Sequence, residues 1–252
     1  MSNLSPILSA MKNLRLFFLP LLAALFVLSA FRLVPSAERE VRNVPAFTQL
    51  NLTGSLTIVL RQGSAQKVEV DAAPEDLSHI ETIVTNGKLR VGTKQEKKGA
   101  GLSWSSYNFK GPVTVYVTMP TIEALGVSGS GSLSAADPIK SDDLQLSVSG
   151  SGRMKLSRVQ ANRLKSSVSG SGVIAMSGTS PRHEVSISGS GQVDAPNMRS
   201  ETSRVSISGS GNCRIEVTKT LDASLAGSGN VYVTGKPQIN ASTAGSGRVR
   251  SS

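Results

Sequence analysis

Beyond residue 120 the chain alternates apolar and polar positions with a period of two, and the alternation runs straight through a recurring Gly-Ser-Gly. Val148, Gly150, Gly152, Met154 and Leu156 share one parity, and Ser147, Ser149, Ser151, Arg153 and Lys155 the other. Ile187, Gly189, Gly191, Val193 and Ala195 repeat the arrangement. A period of two is extended chain with successive side chains on opposite faces. The pattern therefore predicts strands in which both glycines of each motif face inward and the serines outward.

The tripeptide occurs seven times, with its glycines at Gly129 and Gly131, Gly150 and Gly152, Gly170 and Gly172, Gly189 and Gly191, Gly209 and Gly211, Gly227 and Gly229, and Gly245 and Gly247. Successive copies are 21, 20, 19, 20, 18 and 18 residues apart. Self-similarity at this period marks a solenoid in which each unit is one coil. The expected fold is all-β: a single-stranded parallel β-helix, or β-solenoid, of 18–21 residues per coil, with neighbouring coils paired as parallel strands. The usual hand of parallel crossovers favours right-handed coiling, although an 18-residue coil also fits the left-handed type. Glycine suits the corners because a Cβ there would collide with the stacked neighbour and because glycine accepts the dihedrals of a bend.

Residues 44–250 form the expected solenoid, with residues 44–119 as less regular N-terminal coils and cap and 120–250 as the Gly-Ser-Gly coils. Leu50, Leu52, Leu56, Ile58, Leu60, Val68 and Val70 alternate strictly, and Gly54-Ser55 reads as a degenerate copy of the corner. The segment PEDLSH has the makings of a short helix, and Asn86-Gly87 is a favoured hairpin dipeptide. Residues 94–111, rich in Lys, Gly and Ser, read as a loop that shields the first coil.

The N-terminus has a different logic. Residues 16–31, LFFLPLLAALFVLSAF, form an apolar run entered through Lys12 and Arg15 and left through Arg32. A basic start, a short apolar stretch and small residues after it fit a secretory signal over residues 1–37, since a spanning helix wants about 20 apolar residues. An uncleaved anchor is the alternative, and Met11 would serve as a start equally well. The expected location is therefore periplasm, outer cell surface or extracellular space, with membrane contact only through this segment.

Composition agrees with a narrow coil interior: 4% of residues are aromatic, 24 are glycine and one is cysteine. A single cysteine excludes an internal disulfide, and Cys213 in NCRIEV reads as a buried small side chain. The net charge of +10 falls to +7 once Lys12, Arg15 and Arg32 are set aside with the signal, and the remainder is too dispersed to name a partner. Nucleic-acid chemistry is not expected in an exported protein.

Several of these segments also resemble a known family. The stretch FTQLNLTGSLTIVLRQGSAQKVEVDA, the IVTNGKLRV pair, VTVYVTMPTIEALGVSGSGSL and the later VSGSG and ISGSG repeats are similar to bacterial secreted proteins carrying the auto-transporter adhesin head GIN domain. The resemblance covers roughly residues 44–249 and implies a β-helix-like fold, an export signal and an adhesin-like role, with no motif for catalysis.

The glycine motifs lack the following helix and Lys-Ser/Thr pair of a phosphate loop, so they read as corners. Calcium-binding coils need a carboxylate per turn, and only Asp194 follows a Gly-Ser-Gly closely. No cofactor or metal is expected. Acids from Asp137 to Asp222 occur at differing phases of their coils, which argues against the paired carboxylates of a glycan-cleaving enzyme. His79 and His183 each read as residues of solvated polar turns. Trp104, Tyr107 and Phe109 gather scarce aromatics in one loop, as a ligand or partner site or as packing for the cap. Arg153, Lys155, Arg158, Arg163 and Lys165 are a candidate basic patch for anionic glycans or headgroups. The expected function is a non-enzymatic, exported binding module for a glycan or cell-envelope component. The alternatives are a polysaccharide-acting β-helix enzyme and a purely structural envelope protein.

Overall fold

The computed structural model describes residues 38–94, 96–97, 104–105 and 107–251; the segment read as an export signal, residues 1–37, lies outside them. The described chain is a β-solenoid of about six turns. Each coil has three faces. Face A precedes the corner and stacks residues 124–129, 145–150, 163–170, 182–189, 202–209, 220–227 and 238–245 in parallel. Face B follows the corner and stacks residues 132–135, 153–156, 173–176, 192–195, 212–216, 230–234 and 248–251. A short third face joins them and includes the register pairs Ile139 with Val159 and Val159 with Gly178.

Because pairing is in register, alternation along each strand becomes a set of rows along the solenoid. On face A the inward row runs Leu52, Val127, Val148, Val168, Ile187, Ile207, Leu225 and Thr243. On face B it runs Ile58, Leu133, Met154, Ile174, Val193, Cys213, Val231 and Val249. Of these, only the last residue of each row escapes full burial, because it belongs to the final coil. Cys213 is buried within its row, and burial pushes its thiol pKa upward, so it packs as a small apolar group.

The corners explain the repeat more sharply than alternation does. The second glycine of each motif faces the interior: a Cβ on Gly152 or Gly172 would strike the Val127 or Val148 side chain of the coil below. The first glycine does not face inward. Its φ lies between +102° and +124° in the seven copies, and a Cβ on Gly170 would stand 2.7 Å from the Gly150 carbonyl oxygen. That direction runs along the stack. The backbone needs it because the ladder crosses the corner without a break: the Ser171 N–H donates to Gly150 O at 2.9 Å and the Ser190 N–H to Gly170 O at 2.9 Å. Gly54, with φ +95°, is the register partner of Gly129 and makes the same corner one coil earlier.

One end of the solenoid is closed by the described residues between 63 and 121. Lys88–Thr93 and Thr114–Met119 continue the parallel stacks against Gln49–Gly54 and Thr57–Gln62. Antiparallel strands then finish the end: Ile80–Thr85 on Lys88–Thr93, and Lys67–Ala72 on Thr114–Met119, with Glu38–Val41 outside it. Asn86 and Gly87 turn the hairpin with φ of +51° and +72°. The short helix is Pro74–Leu77. Residues 94–111 are not wholly loop, since Glu96–Lys97 pairs antiparallel with Trp104–Ser105.

A methyl group at Gly170 should destabilise the solenoid by about 1–3 kcal/mol, because positive φ and overlap with a backbone carbonyl act together. Chemical denaturation of Gly170→Ala should show this, while Gly111→Ala, with open space around it and an ordinary φ, should unfold like the parent protein.

Candidate interaction face

Face A turns rows of small hydroxyls to solvent. The register stacks Ser147, Ser167, Ser186, Ser206, Ser224 and Ser242 in one outward row. A second row holds Thr53, Ser128, Ser149, Ser169, Ser188 and Ser208, then Ala226 and Ala244. Neighbouring strands in a sheet lie about 4.8 Å apart, so each row is a ruler of equal steps. Serine is small enough to keep the face flat while leaving a donor and an acceptor at every step.

Beside the serines runs a row of charge: Gln145, Lys165, Glu184, Arg204, Asp222 and Asn240, again register partners in that order. Signs alternate from coil to coil. Lys165 Nζ lies 3.4 Å from Glu184 Oε1, and Asn240 Nδ2 donates to Asp222 Oδ1 at 3.0 Å. In the next row Arg163 grips Asp143 with both Nε and Nη2, the latter at 2.7 Å. The hydrogen bonds from Arg163 hold the Asp143 carboxyl below the usual carboxylate range, and the same contact raises the Arg163 pKa. These rows border a groove of about 660 Å³. All of these pairs are exposed, where an isolated ion pair contributes little stability.

The residues singled out from sequence do not assemble as one site. Arg153, Lys155, Arg158, Arg163 and Lys165 belong to one strand, Arg153–Gly170, which wraps around a single coil. Arg153 and Lys155 lie on face B and Arg163 and Lys165 on face A, so the five cations do not form one patch. A linear charge cluster is split because the strand bends between the faces. Trp104 falls in the short strand Trp104–Ser105, and its side chain lies outside the described residues. Tyr107 is committed to the cap: its ring stacks on His79 with centroids 3.6 Å apart, and its hydroxyl donates to Asp76 Oδ1 at 3.0 Å. Burial, followed by the hydrogen bond to Asp76, raises its pKa. Phe109 meets Tyr107 edge to face and packs against the core.

Two residues escaped the sequence reading. Asp76 is fully buried and also accepts the Lys110 N–H at 3.0 Å and the Gly111 N–H at 3.3 Å, which ties the loop end to the helix Pro74–Leu77. His183 is a correction: it is 2% exposed, within a strand, not in a solvated turn. It occupies the inward row Leu164, His183, Ser203 and Leu221. Its Nε2 lies 3.0 Å from Ser166 Oγ, and its buried Nδ1 has no hydrogen-bond partner among the described residues. Ser200 and Ser203 share a hydrogen bond of 2.8 Å, so the aliphatic interior carries a small polar inclusion at this level. The inward parity of Val185 and Ile187 extends back to position 183 and would have placed the histidine inside; its polarity hid the pattern.

A hydroxyl-lined face, positive-φ glycine corners and an antiparallel cap together describe a recognisable design. The family model described as "Putative auto-transporter adhesin, head GIN domain" matches residues 46–237. The chain belongs to that family. Among solved structures, this head GIN domain is similar to a "putative adhesin" from Bacteroides fragilis, with 22% identity, a TM-score of 0.76, and coverage of 86% of this chain and 99% of the other. It is also similar to a "Putative lipid binding protein" from Parabacteroides distasonis, at 23% identity and TM-score 0.71, covering 87% and 98% of the two chains. A "putative adhesin" from Parabacteroides merdae has 19% identity and TM-score 0.64, with 87% and 97% covered. At these identities the likeness is one of fold. No curated protein matches the chain.

Burial drives the His183 pKa of this head GIN domain from 6.5 down to about 4. The folded state thus refuses a proton that the unfolded chain accepts, and stability falls as pH drops through that window. The loss should approach about 3 kcal/mol near the lower end. Urea titrations at pH 7 and near pH 4.5 should show a smaller decrease for His183→Leu than for the parent protein.

Proposed function

We propose that this head GIN domain is an exported, non-enzymatic interaction module whose working surface is face A. The observation that carries the reading is the solvent-facing row of serine hydroxyls repeated in six successive coils, from Ser147 to Ser242. Such a face offers many weak, equally spaced donors and acceptors, which suits a partner that is itself repetitive: a glycan or another polymeric component of the cell surface or envelope. The family description and the adhesin relatives of like fold support an adhesin-like role. The signal-like residues 1–37 support export, with any membrane attachment made through that segment.

The disposition of the carboxylates favours binding over hydrolysis. Asp142, Asp143, Glu184, Asp194, Glu201 and Asp222 each meet a cation or an amide from an adjacent coil, as in Lys219 Nζ to Glu201 Oε2 at 2.7 Å and Arg214 Nη1 to Asp194 Oδ1 at 3.2 Å. A glycan-cleaving site needs one protonated and one free carboxylate facing a common cleft. Lys219 instead holds Glu201 below the ordinary carboxylate range, and Arg163 does the same to Asp143.

The test is an array of glycans, matrix proteins and cell-envelope fractions probed with the purified protein, with a reducing-end assay run on the same polysaccharides. Saturable binding without release of reducing ends is expected. Turnover of a polysaccharide without saturable non-catalytic binding would overturn the reading.

A further inference from the structure

The order of charges on face A has a symmetry that isolated ion pairs do not require. Over the last six levels of the row, Gln145, Lys165, Glu184, Arg204, Asp222 and Asn240, the signs are neutral, plus, minus, plus, minus, neutral; its earlier members Ala124, Gln49 and Lys88 lie beyond this stretch. Reversed, the six-level stretch is its own complement. Lys165 falls opposite Asp222, Glu184 opposite Arg204, and Gln145 opposite Asn240. From this we infer that face A docks against face A of a second copy of the chain, with the two solenoids antiparallel and a twofold axis passing between the levels of Glu184 and Arg204. The inference rests on the reading of face A as the interaction surface and names a second copy of the chain, in place of a glycan, as its occupant.

Three further features fit the same axis. A twofold lying in the interface along the strand direction brings each row against the same row reversed, as an isologous contact requires. In the adjacent row, Asp143, Arg163 and Arg182 then face Gln238, Thr220 and Thr202, so its charged half meets its uncharged half and no like charges collide. The six serines from Ser147 to Ser242 map onto one another about the same point, Ser186 on Ser206, Ser167 on Ser224 and Ser147 on Ser242. From the coil of Ser147 to that of Ser242, the levels that overlap about this axis, the outward side chains of the two serine rows are serine or alanine, so two sheets can approach with hydroxyls interleaved; the larger Asn51 and Arg90 lie beyond the overlap. Both copies share one coil spacing, so a match at one level is repeated at the next. Each cross-face pair is worth little alone, but the twofold makes every pair count twice and the array makes them simultaneous.

The experiment is sedimentation velocity on the purified chain across a concentration series at low and high salt, with four proteins. The parent should dimerise reversibly, more weakly at high salt. Glu184→Arg sets the introduced guanidinium against Arg204 of the other copy, twice across the twofold. It should raise the dimer Kd about tenfold or more, since about 1.4 kcal/mol is a factor of ten. The double variant Glu184→Arg with Arg204→Glu restores both cross-face pairs while placing like charges side by side within each chain. It should recover the dimer; a merely intrachain role for these charges would make it the worst of the set. Ser206→Trp, which alters no charge on an exposed position, should leave a folded monomer. A parent protein that stays monomeric throughout, a dimer indifferent to both Glu184→Arg and Ser206→Trp, or a double variant weaker than the single would overturn the assignment. If the parent is monomeric yet binds a glycan on the array, the partner is refuted while the interaction-module reading stands.

Discussion

The whole molecule depends on the absence of a side chain at the first glycine of each corner. There the backbone adopts positive φ, and the direction a Cβ would take is occupied by the carbonyl of the corresponding glycine one coil below. Only without that atom can the amide of the following serine reach the same carbonyl and carry the ladder around the bend. Were the corners looser, coils would pair along their faces and separate at their edges, leaving buried backbone groups unpaired, which is costly. Seven tight corners stack in register, glycine on glycine, and that seam keeps the faces in step.

Register then converts a one-dimensional pattern into surfaces. A residue type repeated at one phase of the repeat becomes a row, as with the inward aliphatic rows and the outward serine row. A residue type that changes sign from coil to coil becomes a ladder of alternating charge, as in Lys165, Glu184, Arg204 and Asp222. The dispersed basic balance of the solenoid thus has structure: Asp142, Asp143, Glu184, Asp194, Glu201 and Asp222 sit over cations or amides of adjacent coils. A row read across coils, and not a run read along the chain, is the unit in which this fold arranges its surface chemistry.

Much of the architecture was legible from the residues. The tripeptide's period named the solenoid, the parity named the inner and outer positions, and Asn86-Gly87 marked the hairpin that became part of the cap. The candidate sites were less legible. Arg153 and Arg163 look like members of one cluster until the strand bends between them. His183 looks like a turn residue until its register partners, Leu164 and Ser203, place it inside. Asp76 is one acid among several in PEDLSH, and nothing adjacent announces that Tyr107, Lys110 and Gly111 converge on it.

By itself the sequence determined what local sterics and periodicity can determine: extended strands, glycine corners, the length of a coil and the choice of which parity is buried. Those follow from neighbours within one repeat, because a missing Cβ or an alternating side chain acts over a few bonds. The tertiary structure alone decided which coil-to-coil neighbours share a row, and hence where charge cancels, where hydroxyls line up and where a histidine is sealed from water. These depend on residues about 20 apart in the chain, brought within one strand spacing of each other only after the stack has closed.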